Sequence, residues 1–207
     1  MTPTIPASHS APAVSRPAQR HAVIDVGTNS VKLLVADISN GIVEPILESS
    51  EQTRLGRGFY QTCRLQPDAI RHTATAVAGF AARAREQHVH SLRVFATSAA
   101  RDASNTDELT RALEHESAVP LEILTGDQEA DWVFQGVSTD PKLAGRPLLI
   151  LDVGGGSTEF ILGQGHEKHY RNSFNLGTVR LVEAFPYSDP PTAGERQHLR
   201  AWLEDFM

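Results

Sequence analysis

A chain of 207 residues that is 40% hydrophobic can bury one good core or two modest ones side by side. Its formal net charge of −6 argues against the broad basic surface that wraps nucleic acid, so a polyanion would have to be gripped locally, by backbone N–H groups, a few arginines or a metal. The single cysteine, Cys63, excludes a disulfide framework and a cysteine-rich zinc site, and no apolar run reaches the ~18 residues a membrane helix needs; with no apolar secretory core at the N-terminus, the expected setting is the cytoplasm, away from membranes.

Residues 1–20 hold four prolines among many Ala and Ser, a composition that does not repay the entropy of ordering, and predict a disordered tail. From His21 the texture changes. His21–Val26 and Ser30–Ile38 are β-branched runs around Gly27-Thr28-Asn29, which reads as a hairpin turn, and Ile42–Leu47 extends the meander. Pro67 opens a helix whose Ile70, Ala74, Val77, Ala81 and Ala84 share one face. A strand at Leu92–Thr97, a helix at Thr106–Glu116 and a strand at Leu121–Leu124 predict a right-handed parallel crossover. A further helix, capped by Asp127 or a near neighbour, runs to about Val137 with Ala130, Val133 and Phe134 inward. The loop around Asp140-Pro141 and Gly145 is the expected boundary between a first lobe, 21–142, and a second, 143–207.

The second lobe opens as the first does. A strand over Pro147–Val153 meets Gly154-Gly155-Gly156, Ser157–Gly163 alternates with period two, and His169–Phe174 completes a meander; Thr192–Phe206 then closes the chain as a helix. Asp25-Val-Gly and Asp152-Val-Gly, 127 positions apart, have the form of an internal duplication. A carboxylate at a strand end beside the exposed N–H groups of a glycine turn suits a phosphate with its metal ion. The candidate phosphate-binding residues are therefore Gly27, Thr28, Asn29 and Ser30 in one turn and Gly154, Gly155, Gly156, Ser157 and Thr158 in the other, with Asp25 and Asp152 as carboxylates for a metal. Other glycine motifs fail on residues. Neither turn has the Gly-Lys-Ser/Thr of a P-loop, both continue as strands where a dinucleotide fingerprint needs a helix, and Glu159 stands where a nucleophile elbow needs glycine. The nine histidines form no spaced metal motif, His166-Glu-Lys-His169 reads as surface, and Trp132 and Trp202 read as core.

The stretches Ala22-Val-Ile-Asp-Val-Gly-Thr-Asn-Ser-Val-Lys-Leu-Leu-Val-Ala-Asp37 and Leu149-Ile-Leu-Asp-Val-Gly-Gly-Gly-Ser-Thr-Glu-Phe160 resemble the two phosphate motifs of the exopolyphosphatase and guanosine pentaphosphate phosphohydrolase family, within the actin-like ATPase and sugar kinase superfamily. Arg54-Leu-Gly-Arg-Gly-Phe59, Ala96-Thr-Ser-Ala-Ala-Arg-Asp-Ala-Ser-Asn105, Leu124-Thr-Gly-Asp-Gln-Glu-Ala130 and Asn175-Leu-Gly-Thr-Val-Arg180 are also family-like. The resemblance implies an α/β, ribonuclease H-like actin-type ATPase fold of two lobes, each a mixed sheet flanked by helices. It implies Glu129 as the catalytic base for water, Glu159 as its partner near the metal, Arg101 as a phosphate contact and magnesium on Asp25 and Asp152. Its substrates would be inorganic polyphosphate or guanosine pentaphosphate.

Read without the resemblance, Glu129 is a solvated residue early in a helix and Arg101 a surface partner of Asp102 or Glu108. Against the family's pattern the second lobe is short and incomplete, which leaves three arrangements open: a fragment, a truncated product, or a homodimer whose partner copy completes it. The apolar face of Trp202, Leu203 and Phe206 is the one expected to need covering. A non-catalytic polyphosphate or alarmone binding protein and a nucleotide kinase or ATPase are the competing readings.

Overall fold

The computed structural model describes residues 17–206, so the expected tail lies outside the described residues except at its end. There the expectation is corrected: Gln19 and Arg20 open strand β1 (Gln19–Val26), pairing with Ile38 and Asp37 of β2 (Val31–Ser39). Two hydrogen bonds of 2.8 Å from the Arg20 guanidinium to the Asp37 carboxylate hold that end down, a cross-strand pairing invisible in composition.

β3 (Ile42–Glu51) completes an antiparallel meander with β2 across Asn40-Gly41, both at positive φ as a tight hairpin requires. β4 (Ser91–Ala96) and β5 (Leu121–Ile123) add in parallel on the other side of β1, giving the order β3-β2-β1-β4-β5. Ala22, Ile24 and Val26 alternate inward on β1, and Val31, Leu33 and Val35 on β2. They share one core with α2 (Pro67–Glu86) and α4 (Thr106–Ser117).

Pro67 stands at the first position of α2, where its missing N–H is no loss, and the predicted Ile70, Ala74, Val77, Ala81 and Ala84 are all buried. Gly79 sits in the middle of this helix with open space around its Cα. Gly79→Ala is accordingly expected to stabilise the chain by about 0.5–1 kcal/mol, from reduced backbone entropy in the unfolded state, read as a rise in the urea midpoint.

The second sheet is, among the described residues, an antiparallel meander of β6 (Pro147–Val153), β7 (Thr158–Gln164) and β8 (Glu167–Phe174) in the order β6-β7-β8. α5 (Gly126–Ser138) is capped by Thr125, not Asp127: the Thr125 side chain accepts from the Gln128 N–H while Gln128 accepts from that of Thr125. Ala130 and Phe134 of α5 bury against Ile161 of β7, so packing carries this helix across the boundary drawn at residue 142. Trp132 departs from the core reading. It is partly exposed, with its edge 4.5 Å between centroids from Phe95 and the Arg93 guanidinium 5.5 Å above it.

Three helices too short to show a period, α1 (Phe59–Thr62), α3 (Ser98–Asp102) and α6 (Thr178–Ala184), escaped the sequence pattern. α7 (Ala193–Phe206) closes the chain. Trp202 stacks on Phe206 at 5.2 Å and meets Phe185 at 5.3 Å, which leaves Trp202 and Leu203 half-buried. The more exposed apolar face lies instead on edge strand β6, where Leu149, Leu151 and Val153 are 66%, 53% and 61% exposed.

Candidate active site

The two glycine turns fold alike. Gly27 N–H donates to Ser30 O at 3.0 Å, and Gly154 N–H donates to Ser157 O at 2.9 Å, each bond closing the turn just beyond its Asp-Val strand end. The duplication read in sequence is thus a duplication of geometry. Flanking chain fixes each turn through its carbonyls. Arg54 N–H reaches Asn29 O at 2.9 Å and Gly56 N–H reaches Thr28 O at 2.8 Å, while Thr178 and Val179 N–H reach the carbonyls of Gly154 and Gly155 at 3.0 and 2.9 Å. The N–H groups of Thr28, Asn29, Gly155 and Gly156 donate to no protein acceptor among the described residues, which is the condition for an anion-binding nest. The Thr158 hydroxyl donates to Leu176 O at 2.5 Å.

The turns face each other. A Cβ on Gly155 would lie 3.1 Å from Thr28 Cβ, and one on Gly156 would meet the Tyr60 hydroxyl, Ser98 Oγ at 2.5 Å and Thr28 Oγ1 at 2.7 Å. Only glycine lets the second turn approach the first this closely.

Around them stand the carboxylates. Glu129, in the first turn of α5, has a side chain only 17% exposed. Burial first, and then the charge of Glu159, push its carboxyl up from the ordinary 4.5 to about 7, against the downward pull of Arg101. Arg101 Nη1 donates to Glu129 Oε2 at 3.1 Å and to Leu124 O at 3.0 Å. That replaces the surface pairing with Glu108, which binds Arg64 instead; Asp102 remains a looser neighbour of Arg101 at 3.7 Å. Glu159 is 1% exposed on the same inward face as Ile161 and accepts from Ser173 Oγ at 2.6 Å. Burial raises its carboxyl too, with Ser173 and Ser157 opposing. Asp25 is raised by burial, lowered by the cross-strand cation Lys32, and raised again by the charge of Asp152.

These acids feel one another across the cleft, with Arg101 and Lys32 as the cations that act on them. Among the described residues no three His, Cys, Asp or Glu side chains close into a metal cage. One or two carboxylates are nevertheless all that magnesium takes from many proteins, because that ion keeps most of its waters and shares substrate oxygens. The residues present fit such an ion.

The sequence pattern of the Ppx/GppA phosphatase family matches residues 34–207, far more than half of the chain. The chain belongs to the Ppx/GppA phosphatase family. Exopolyphosphatase 2 of Mycobacterium tuberculosis is 40% identical over 200 residues, covering 91% of this chain and 61% of that protein. The guanosine-5′-triphosphate,3′-diphosphate pyrophosphatase of Vibrio campbellii is 30% identical over 165 residues, covering 80% of this chain and 33% of that one. Among solved structures, the exopolyphosphatase from Cytophaga hutchinsonii superposes with a TM-score of 0.84 at 29% identity, over 90% of this chain and 60% of that one. The Aquifex aeolicus Ppx/GppA enzyme gives 0.74 at 34% identity, over 91% and 63%. The chain therefore has the α/β fold of the Ppx/GppA enzymes and spans less than two thirds of the length of each of these relatives.

Within this Ppx/GppA site, four residues went unassigned in sequence: Tyr60, Ser98, Arg180 and Glu183. Ser98 and Arg180 lie inside family-like motifs, so position alone singles them out. Tyr60 and Glu183 meet across more than 120 positions of chain, and no local signal marks them.

Proposed function

We propose that this chain carries the phosphate-gripping and water-activating machinery of a phosphoanhydride hydrolase that releases the terminal phosphate of inorganic polyphosphate, of guanosine pentaphosphate, or of both. The observation that carries the reading is Glu129: a carboxyl held at about 7, bonded to Arg101, and within the electrostatic reach of Asp25 and Glu159, at the ends of the strands that carry the two glycine turns. A base poised near neutral pH is what abstraction of a proton from water requires.

The unpaired N–H groups of both turns take up the oxygens of the chain, and Arg101 neutralises the terminal phosphoryl group while holding Glu129 in place. Water bonds to the terminal phosphorus as the bridging P–O bond breaks. Its proton passes to Glu129, and the electron pair of the broken bond leaves on the shortened chain. Ser173 fixes the rotamer of Glu159, whose charge raises the basicity of Glu129. Asp25 and Asp152 would hold magnesium, which supplies neutralisation of the phosphoryl oxygens when bound. A reducing cytoplasmic setting belongs to the same reading: Cys63 is free and exposed, and no helix among the described residues is long and apolar enough to cross a membrane.

Phosphate release from long-chain polyphosphate and from guanosine pentaphosphate, with magnesium and with chelator, tests the proposal. Metal-dependent release is expected. Binding of either compound without release would leave a binding protein in place of the hydrolase.

A further inference from the structure

The first residues of α6 are hydrogen-bonded to the second glycine turn. Beyond the Thr178 and Val179 bonds, Arg180 N–H donates to Gly155 O at 3.1 Å and Arg180 Nε to Gly156 O at 3.1 Å. The outward side of the same helix grips the first lobe. Glu183 accepts from Gly58 N–H at 2.5 Å with one carboxylate oxygen and from Tyr60 N–H at 3.1 Å with the other. Arg180 Nη2 donates to Asp102 at 3.2 Å, and its guanidinium lies 4.3 Å over the Tyr60 ring. The Gly58–Tyr60 segment is itself continuous with Gly56, which holds Thr28 of the first turn.

Tyr60 Oη and Ser98 Oγ are buried against Gly156, beside the Thr28 hydroxyl of the first turn. The segment that carries Tyr60 is tied to α6 by the Glu183 carboxylate on two backbone N–H groups, a charge-assisted pair of bonds.

We propose that Glu183 is a positioning residue: with Arg180 it latches α6 to the Gly58–Tyr60 segment and so sets the separation of the two phosphate turns. This deepens the functional reading above and rests on it for the ligand, a phosphate chain held between both turns. Ligand that binds the closed arrangement restores it at saturation, so loss of the latch weakens apparent affinity and leaves the saturated rate unchanged.

The test uses the natural thiol at Cys63 on the first lobe and a second introduced as His166→Cys, an exposed turn position of the second. Spin labels on the two give an interlobe distance distribution that is independent of turnover. A narrow distribution is expected without Glu183 substitution, a broader and longer one in Glu183→Ala, and return to the narrow one on adding inorganic tripolyphosphate. Tripolyphosphate affinity measured by calorimetry should fall about ten-fold in Glu183→Ala, with KM rising and kcat unchanged. Glu183→Gln keeps an acceptor oxygen and should recover part of both effects; it also carries the test if the alanine variant, checked by circular dichroism, does not fold.

An unchanged distance distribution in a folded variant overturns the latch, and so does a broadened one with unchanged affinity. If the unsubstituted chain binds no tripolyphosphate while Glu183→Ala still broadens the distribution, the latch stands and the assigned ligand class falls.

Discussion

Glu129→Gln is expected to reduce phosphate release by about 10²–10⁴-fold and, at the same time, to make the folded chain more stable at pH 8. The amide fills the volume of the carboxylate and still accepts from Arg101 Nη1, so tripolyphosphate binding should survive, but it cannot take a proton from water. The stability effect follows from the same environment. Glu129 is raised from 4.5 to about 7 in the folded chain, so between those values the folded state holds a proton that the unfolded state has released. Stability contributed by this group is full below about 4.5 and is lost as pH rises through about 7. At pH 8 the unsubstituted chain bears a buried charge that feels Glu159; glutamine bears none. A gain on the order of 2 kcal/mol is expected at pH 8, shrinking towards zero at pH 4, where Glu129 is itself neutral. Urea unfolding at both pH values reads it. A rate-pH profile of the unsubstituted protein should rise through about pH 7. Equal activity in Glu129→Gln would remove the assigned role; a stability gain over the unsubstituted chain no larger at pH 8 than at pH 4 would remove the electrostatic account.

Gly177→Ala is the second large effect. Gly177 lies in extended backbone, φ −152°, a conformation any residue adopts, so strain in its own dihedrals is no objection. The obstacle is space. A Cβ there would run into the carbonyl carbon and oxygen of Gly155 and come within 2.5 Å of Gly156 N. These are backbone atoms of the second glycine turn, and no rotamer change relieves them. Either the turn or the start of α6 must shift, at a cost of about 3 kcal/mol, the upper part of the range for overpacking. Stability and tripolyphosphate affinity should fall together. Gly79→Ala, with nothing near its Cα, should move stability the other way, so a glycine-to-alanine effect as such cannot explain the loss. Wild-type affinity in a folded Gly177→Ala variant would show that the close seating of α6 on the turn is dispensable.

The strands and long helices were legible in the chain because each is a local pattern. β-branched runs wrote β1 and β2, alternation wrote β7, and a stripe of alanines wrote α2. The duplicated Asp-Val-Gly turns were legible for a similar reason, since the bond from Gly27 to Ser30 and that from Gly154 to Ser157 each close within four residues. Glu129, Glu159 and Arg101 could be named from motifs, but their relation could not. Read alone, Arg101 pairs at the surface and Glu129 is a solvated helix residue.

Packing decided otherwise. α5 lies between the lobes, with Ala130 and Phe134 on the second sheet and Trp132 against Phe95 of the first, and this brings Glu129 to Glu159 and Arg101, residues 30 and 28 positions away. On the last helix Phe206 stays exposed as expected while Trp202 and Leu203 are half-buried, because Trp202 meets Phe206 and Phe185, and the more exposed apolar face is that of β6. Sequence alone determined where the paired glycine turns and the carboxylates occur along this chain, since turn geometry and strand period are set by neighbouring residues. Only the tertiary structure decided which carboxylate is buried, which is poised near neutral pH, and how Glu183 reaches Tyr60, because burial and charge coupling depend on groups that distant stretches of chain bring together.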